Sequence, residues 1–441
     1  MNKKTENKAV SPWQWVPSLY FAQGIPYVVV MSVAVILFKR MGMSNTDIAL
    51  YTSGLNLPWV IKPLWSPLVD LLKTKRWWIV VMQILVGAGL AGIALTIPAP
   101  LAFRYCLAFM WLLAFSSATH DIAADGFYML GLNEKKQAYF VGIRNTFYRF
   151  AVIFGQGILV MFAGWLEQRY AREMPETAAI PQAWSLTFYL LTILFALLFV
   201  YHYLFLPHPR RDTCTLPPQQ ASAGRVFKEF LGTFTSFFQK KHIVSALIFI
   251  LLYRFAEAQL VKITSPFLLD TPATGGLALS TAEVGFIYGT IGVIALTIGG
   301  IVGGIAMARR GLKSCLWTMT IAMNLPNIVY LYLSFARPES IGIISGCVAI
   351  EQFGYGFGFT SLTYFMMLFS NGKHQTAHYA ICTGFMALGL MLPGMISGWI
   401  EESIGYRAFF VWIMLCTIPS FWATHLVRKN LTDNHSDNSS R

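Results

Sequence analysis

Two carboxylates stand where an apolar chain has least use for them. The stretch Ser116-Ser117-Ala118-Thr119-His120-Asp121-Ile122-Ala123-Ala124-Asp125-Gly126-Phe127-Tyr128 closes a long apolar run that begins near Leu101. On a helix, Asp121 and Asp125 lie about 40° apart and share one face. A charge in bilayer hydrocarbon costs at least ~2.5–3.5 kcal/mol, so such residues face a partner or a water-filled path. Two chemistries fit. One is an ion-pair cluster with Lys62, Arg144 or Arg149, which fall at a similar depth. The other is a protonatable site that moves a proton or holds a substrate. Three bases stand against two acids, so an outside anion can complete the set. His120 and Asp125 also spell an H-x4-D acyltransferase pattern, but five residues turn a helix by about 140° and part the side chains. The chain is read as a non-enzyme.

Two further acids, Glu257 and Glu351, fall inside later apolar runs. Arg254, three residues before Glu257, can pair with it on one helix face. Tyr20, Tyr27 and Tyr355 are candidates to stack on a sugar ring. Lys262 is placed to snorkel toward a span end. Gly24, Pro26 and Pro266 are read as helix breaks, and Trp13, Trp15, Trp77, Trp78 and Trp184 as an interfacial belt.

The elements that position these residues follow from composition. Of 441 residues, 56% are hydrophobic and only 12% charged, where a soluble chain shows roughly 25% charged. This is a polytopic membrane protein, all-α. Its net charge of +13 would suggest nucleic acid in a soluble domain, but the bases concentrate in alternate loops. That is the positive-inside pattern, and it puts both termini in the cytoplasm. Five of six cysteines fall in apolar spans, with no spacing for a metal site or a disulfide framework, and no cofactor is expected.

Stretches of roughly 20 apolar residues can be placed near 14–38, 47–70, 77–97, 101–131, 139–165 and 184–206. A second set lies near 242–269, 281–307, 314–335, 341–369, 377–400 and 408–427. The expected organisation is a six-helix half over 1–206, a linker over 207–241, a second half over 242–428 and a polar tail over 429–441. Within the linker, Val226 to Phe238 carry an apolar stripe suited to a membrane surface.

The two sets read as repeats. Asn133-x-Lys135-x-Gln137 matches Asn371-x-Lys373-x-Gln375, and Gly164-Trp165-Leu166-Glu167 echoes Gly398-Trp399-Ile400-Glu401. Phe21-Ala22-Gln23 echoes Phe255-Ala256-Glu257, which sets Gln23 and Glu257 at equivalent places, whereas Thr363 stands opposite Asp125. Parallel six-helix repeats are the organisation of major facilitator transporters, with the substrate site between the halves. The loop from Gly304 to Lys313 resembles that superfamily's loop signature, and Ser66 to Lys75 is its degenerate partner. Asp70, Arg309 and Lys313 are therefore expected to act as a conformational latch.

Several motifs together resemble the AmpG-type muropeptide permeases, related to the acetyl-CoA transporters of that superfamily. They are Tyr20-Phe-Ala-Gln-Gly-Ile-Pro26, Leu57-Pro-Trp-Val-Ile-Lys-Pro-Leu-Trp-Ser-Pro-Leu-Val-Asp70, Ala118-Thr-His-Asp-Ile-Ala-Ala-Asp125, Leu252-Tyr-Arg-Phe-Ala-Glu-Ala258 and Ala282-Glu-Val-Gly285, with Glu351 and Gly398-Trp399. The resemblance covers essentially the whole chain. It implies proton-driven import of N-acetylglucosamine-anhydro-N-acetylmuramyl peptides across a bacterial inner membrane, as in peptidoglycan recycling. The alternatives are another amino sugar or oligosaccharide, an acyl-CoA-like anion, or a lipid flippase without proton coupling. Asp125 is the first candidate for proton coupling, followed by Asp121, Glu257 and Glu351. Gln23, Tyr20, Lys62, Arg144, Arg149, Arg254 and Tyr355 are the candidate substrate contacts. The expected partners are substrate, protons and lipid, and the expected state is a monomer.

Overall fold

A computed structural model describes residues 10–209, 212, 232, 234–371 and 375–436. Eight stretches among these are long and apolar enough to cross a membrane. Two of them, Thr281–Ala336 and Ala377–Asn430, run to 56 and 54 residues, or about 80 Å at 1.5 Å per residue, far beyond a bilayer. Each is broken by one glycine in the left-handed region, Gly311 (φ 72°) and Gly405 (φ 77°), a conformation that costs glycine little.

Twelve helices result among the described residues. In the first half they are α1 (Pro12–Arg40), α2 (45–72), α3 (Lys75–Thr96), α4 (Ala102–Gly131), α5 (134–170) and α6 (Glu176–Phe205). In the second they are α7 (Ile243–Leu269), α8 (281–310), α9 (312–336), α10 (Ile341–Ser370), α11 (375–404) and α12 (406–436). Each expected span has its helix. Large apolar side chains such as Leu197, Leu204, Ile301 and Ile350 remain more than half exposed, the mark of helices whose outer faces meet lipid rather than water.

The start of α1, the ends of α6 and α12 and the start of α7 lie at one end of the bundle, called here the termini end. The turns at 41–44, 171–175, 270–280 and 405 lie at the other, the hairpin end. Small residues set the helix spacing. A Cβ on Gly299 or Gly356 would sit 2.1 or 2.0 Å from a carbonyl oxygen of the facing helix, α10 or α8. Such contacts let backbones approach closely where hydrophobic drive is absent.

Several expectations need correction. Gly24 breaks no helix. A Cβ there would lie 2.6 Å from that of Ala151, so it is a site of close approach between α1 and α5. The interruption in α7 falls at Tyr253–Arg254 rather than at Pro266, which lies within the helix. Trp15 and Trp184 are buried at 1% and 0% exposure and belong to no belt, because each faces a neighbouring helix. Lys262 does not snorkel; it is 4% exposed. Of the apolar stripe in the linker, residues 226–231 lie outside the described residues. Its end packs inward, with the Phe237 ring against Phe369, His378 and Phe385.

Candidate functional site

The first-half acids are each matched to one base. Gln23 Nε2 and Lys62 Nζ both donate to Asp121. Asp125 lies 3.3 Å from Arg144 and accepts a 3.0 Å hydrogen bond from Tyr20 Oη. Arg144 also donates to Tyr20 Oη at 3.0 Å, and its guanidinium lies over the rings of Tyr20 and Tyr128. The shared face predicted for Asp121 and Asp125 therefore points into one cluster built from α1, α2, α4 and α5. His120 sits beside that cluster but faces away from it, 3.1 Å from Gln83, which also contacts His202.

The second-half acids are arranged differently. Glu351 accepts from Tyr330 Oη at 3.1 Å and Gln352 Nε2 at 2.9 Å, and its Oε1 is buried without a partner. Glu257 Oε2 is likewise buried and unpartnered. The two acids lie within electrostatic reach of each other. Among the described residues neither has a cation within ion-pair distance. The expected Arg254–Glu257 pair does not form. Arg254 instead donates to Tyr355 Oη and lies over the rings of Tyr355 and Phe359. The irregular turn at Tyr253–Arg254 removes the regular three-residue spacing on which that pairing relied.

Arg149 is the odd base. It pairs with neither Asp121 nor Asp125, and it forms no hydrogen bond or ion pair among the described residues. Its guanidinium lies close enough to Tyr27, Tyr148 and Tyr355 to act on them electrostatically. Arg254 acts on the same Tyr27 and Tyr355. One guanidinium from each half, neither in an ion pair among the described residues, thus lies within electrostatic range of Tyr27 and Tyr355, and Arg254 contacts Tyr355 directly.

The hairpin end of that seam is shut. Lys39 and Asp270 form a 2.7 Å ion pair across it. Asn45 donates to Glu401 at 2.6 Å and to Tyr406 at 2.9 Å, while Thr281 donates to Glu167 at 2.7 Å. Arg40 and Trp184 brace Glu167 from within the first half. The described hydrogen bonds and ion pairs between the halves all fall at this end. Toward the termini end, the Asp125, Arg144, Lys62 and Asp121 side chains are 38%, 26%, 24% and 21% exposed. Glu257 and Glu351 are 3% and 1% exposed. The described seam is therefore tied at the hairpin end, while the first-half charged cluster keeps partial exposure toward the termini.

This seam network escaped the sequence reading, although a signal was present. The repeat that matched Glu167 with Glu401 marked two acids that each accept a hydrogen bond from the opposite half. Of the expected latch residues, Arg309 and Lys313 are exposed and unbonded among the described residues. The side chain of Asp70 lies outside the described residues.

Comparison with known proteins agrees with this fold. A family model described as Major Facilitator Superfamily matches residues 18–376. The Anhydromuropeptide permease of Escherichia coli K12 is 24% identical over 94% of this chain and 79% of its own length. A transporter named AmpG 4 from Rickettsia conorii is 25% identical over 92% of this chain and 93% of its own. Among solved structures, a D-xylose-proton symporter aligns with a TM-score of 0.70 at 12% identity, covering 94% of this chain and 96% of that one. The nucleoside transporter NupG aligns at 0.68 and 14%, covering 94% and 98%. At such identities the structural likeness speaks for the fold, while the named relatives bear out the AmpG-type resemblance.

Proposed function

This chain belongs to the Major Facilitator Superfamily and is a secondary transporter; from that premise we propose that it imports anhydro-muropeptides by proton symport. The observation that carries the reading is that Arg149 and Arg254, in no ion pair among the described residues, both lie within electrostatic range of Tyr27 and Tyr355, with Arg254 bonded to Tyr355. Lys62 and Arg144 are already neutralised by Asp121 and Asp125, so the charge left for a cargo is positive and shared between the halves. A muropeptide brings carboxylates for those guanidinium groups and amino sugars for the aromatic rings. Charge-assisted hydrogen bonds of this kind are worth about 1.5–3 kcal/mol each. The name carried by the Escherichia coli relative supports the same cargo.

The proton site in this reading is the Glu257–Glu351 pair rather than the first-half acids. A buried carboxylate without a cation is too costly to keep ionised, and in practice it holds a proton. Asp121 and Asp125, each beside a base, act as ion pairs that shape the cavity floor. The halves 1–206 and 242–428 rock about the seam, joined by 207–241, with Asp70, Arg309 and Lys313 latching the termini end when it closes. In this reading that end faces the cytoplasm of a bacterium, as the positive-inside pattern expects, and the conformation is an inward-facing one at the inner membrane.

Competition in proteoliposomes tests the cargo. Labelled anhydro-muropeptide uptake should be blocked by unlabelled muropeptide and left unchanged by a neutral oligosaccharide. Arg149→Ala should raise the half-saturating concentration by roughly 10- to 100-fold, following the energy of one charge-assisted bond. Equal competition by the neutral sugar, or unchanged affinity in that variant, would overturn the anionic cargo. Block by acyl-CoA alone would transfer the assignment to that anion.

A further inference from the structure

A second basic site lies away from the seam. A cavity of about 280 Å³ opens at the termini end of the second half, between the start of α7 and the ends of α10 and α12. Lys240, Lys241 and His242 form one side of it, and Phe365, Leu368 and Val427 form the other. No acid lines it. Lys240 Nζ donates to the carbonyls of Phe369 and Asn371 at 2.6 and 2.9 Å, which holds its charge at the end of α10. His242 adopts a left-handed backbone conformation (φ 61°), uncommon for a residue with a Cβ. That turn brings its ring into the cavity rim, where Nε2 is buried without a hydrogen-bond partner. Lys241 is exposed, and Leu368 is 40% exposed on the bilayer-facing side.

We propose that this cavity binds an anionic phospholipid of the leaflet on the termini side. The phosphate sits between Lys241 and the unpartnered His242 nitrogen, and one acyl chain follows Leu368 and Phe365 out into the bilayer. Three features select this occupant over a free anion. The rim is basic and, among the described residues, without acid; the opposite wall is apolar but for Asn430, whose amide is bonded to Ser245; and that wall continues into lipid-facing surface. Basic pockets between helices at a membrane edge recognise lipid headgroups in this way. The inference is independent of the cargo proposed above, because none of these residues lines the seam.

The test is native mass spectrometry of the full chain in detergent, with added dioleoyl phosphatidylglycerol or dioleoyl phosphatidylcholine. Wild-type protein should retain phosphatidylglycerol about fivefold more than phosphatidylcholine. The preference should fall at least about threefold in a Lys241→Gln, His242→Asn double variant, since asparagine accepts the left-handed backbone. Lys241→Gln alone, at an exposed position, gives the same direction should the double variant fail to fold. Equal retention of the two lipids, or an undiminished preference in the variants, overturns the proposal. So does displacement of phosphatidylglycerol by millimolar inorganic phosphate, which would mark an anion site and no more.

Discussion

Glu257→Gln is expected to abolish accumulation of substrate against its gradient while leaving counterflow exchange near the wild-type rate. Glutamine keeps the size and hydrogen-bonding reach of the protonated acid but has no proton to release. Glu257 is 3% exposed with Oε2 unpartnered, and Glu351, within its electrostatic reach, is tied only to the neutral groups Tyr330 and Gln352. Among the described residues no cation lies within ion-pair distance of either acid in the closed-hairpin state, and Arg254 acts on Glu257 only from farther away. In the proposed cycle the proton leaves when the seam rearranges and brings water or Arg254 closer to the acids. A gradient of one pH unit is worth about 1.4 kcal/mol per proton, or roughly tenfold accumulation. In the variant that factor should fall to about one. The comparison variant is Asp125→Asn, expected from the sequence to stop accumulation with the protein folded. Because Asp125 is tied to Arg144 and Tyr20, its replacement leaves a partly exposed base uncompensated and should weaken exchange as well as accumulation. Full accumulation by Glu257→Gln with none by Asp125→Asn would return the proton site to the first half.

Gly398→Val is expected to hold the hairpin end open and stop net uptake. A Cβ at Gly398 would lie 2.0 Å from the Asn45 carbonyl oxygen and 2.7 Å from the Thr46 nitrogen. Both of these are backbone atoms at the start of α2, so no side-chain rotation relieves the clash, and α11 must separate from α2. That movement breaks the Asn45–Glu401 and Thr46–Glu402 hydrogen bonds together. Overpacking of this kind costs about 1–3 kcal/mol. Applied to one conformer of an alternating pair, it shifts the population by about 5- to 150-fold. A Ser53→Cys reporter, fully buried near Gly394 in the closed state, should react faster with a maleimide added from the hairpin side. Gly164→Val should behave alike, since its Cβ would meet the Ala282 nitrogen at 2.3 Å across the same seam. Gly346→Val, where a Cβ meets nothing within 4 Å, should leave both readouts unchanged. Unaltered labelling and uptake in Gly398→Val would show that the hairpin seam does not gate transport.

Those glycines also show what the sequence makes legible. The repeat pairing Gly164 with Gly398, and Glu167 with Glu401, follows from residue identity alone. The structure places each glycine against the opposite half's backbone and each acid at the same seam. Helix number and span positions are equally readable, because the cost of unpaired backbone in lipid leaves little choice but a helix of bilayer length. Which base meets which acid is not readable in this way. Lys62, Arg144 and Arg149 have similar depths, and only the rotation of α2 and α5 about their axes separates the two that pair from the one that does not. Arg254 stands three residues from Glu257, yet the turn at Tyr253–Arg254 and the ring of Tyr355 redirect it. Trp184 looks like a belt residue until Glu167, on the neighbouring helix, supplies an acceptor for its ring nitrogen at 2.7 Å. Local spacing thus identifies the polar residues that matter, and helix crossing decides how they are matched.

The most direct test of the account is uptake of radiolabelled N-acetylglucosamine-anhydro-N-acetylmuramyl tripeptide into proteoliposomes, with the outside about one pH unit more acidic than the lumen. The expected result is roughly tenfold accumulation for one coupled proton, collapsing to equilibration when a protonophore is added. Uptake that proceeds to the same level with and without the gradient would contradict proton symport, and absence of any uptake of this substrate would contradict the assigned cargo.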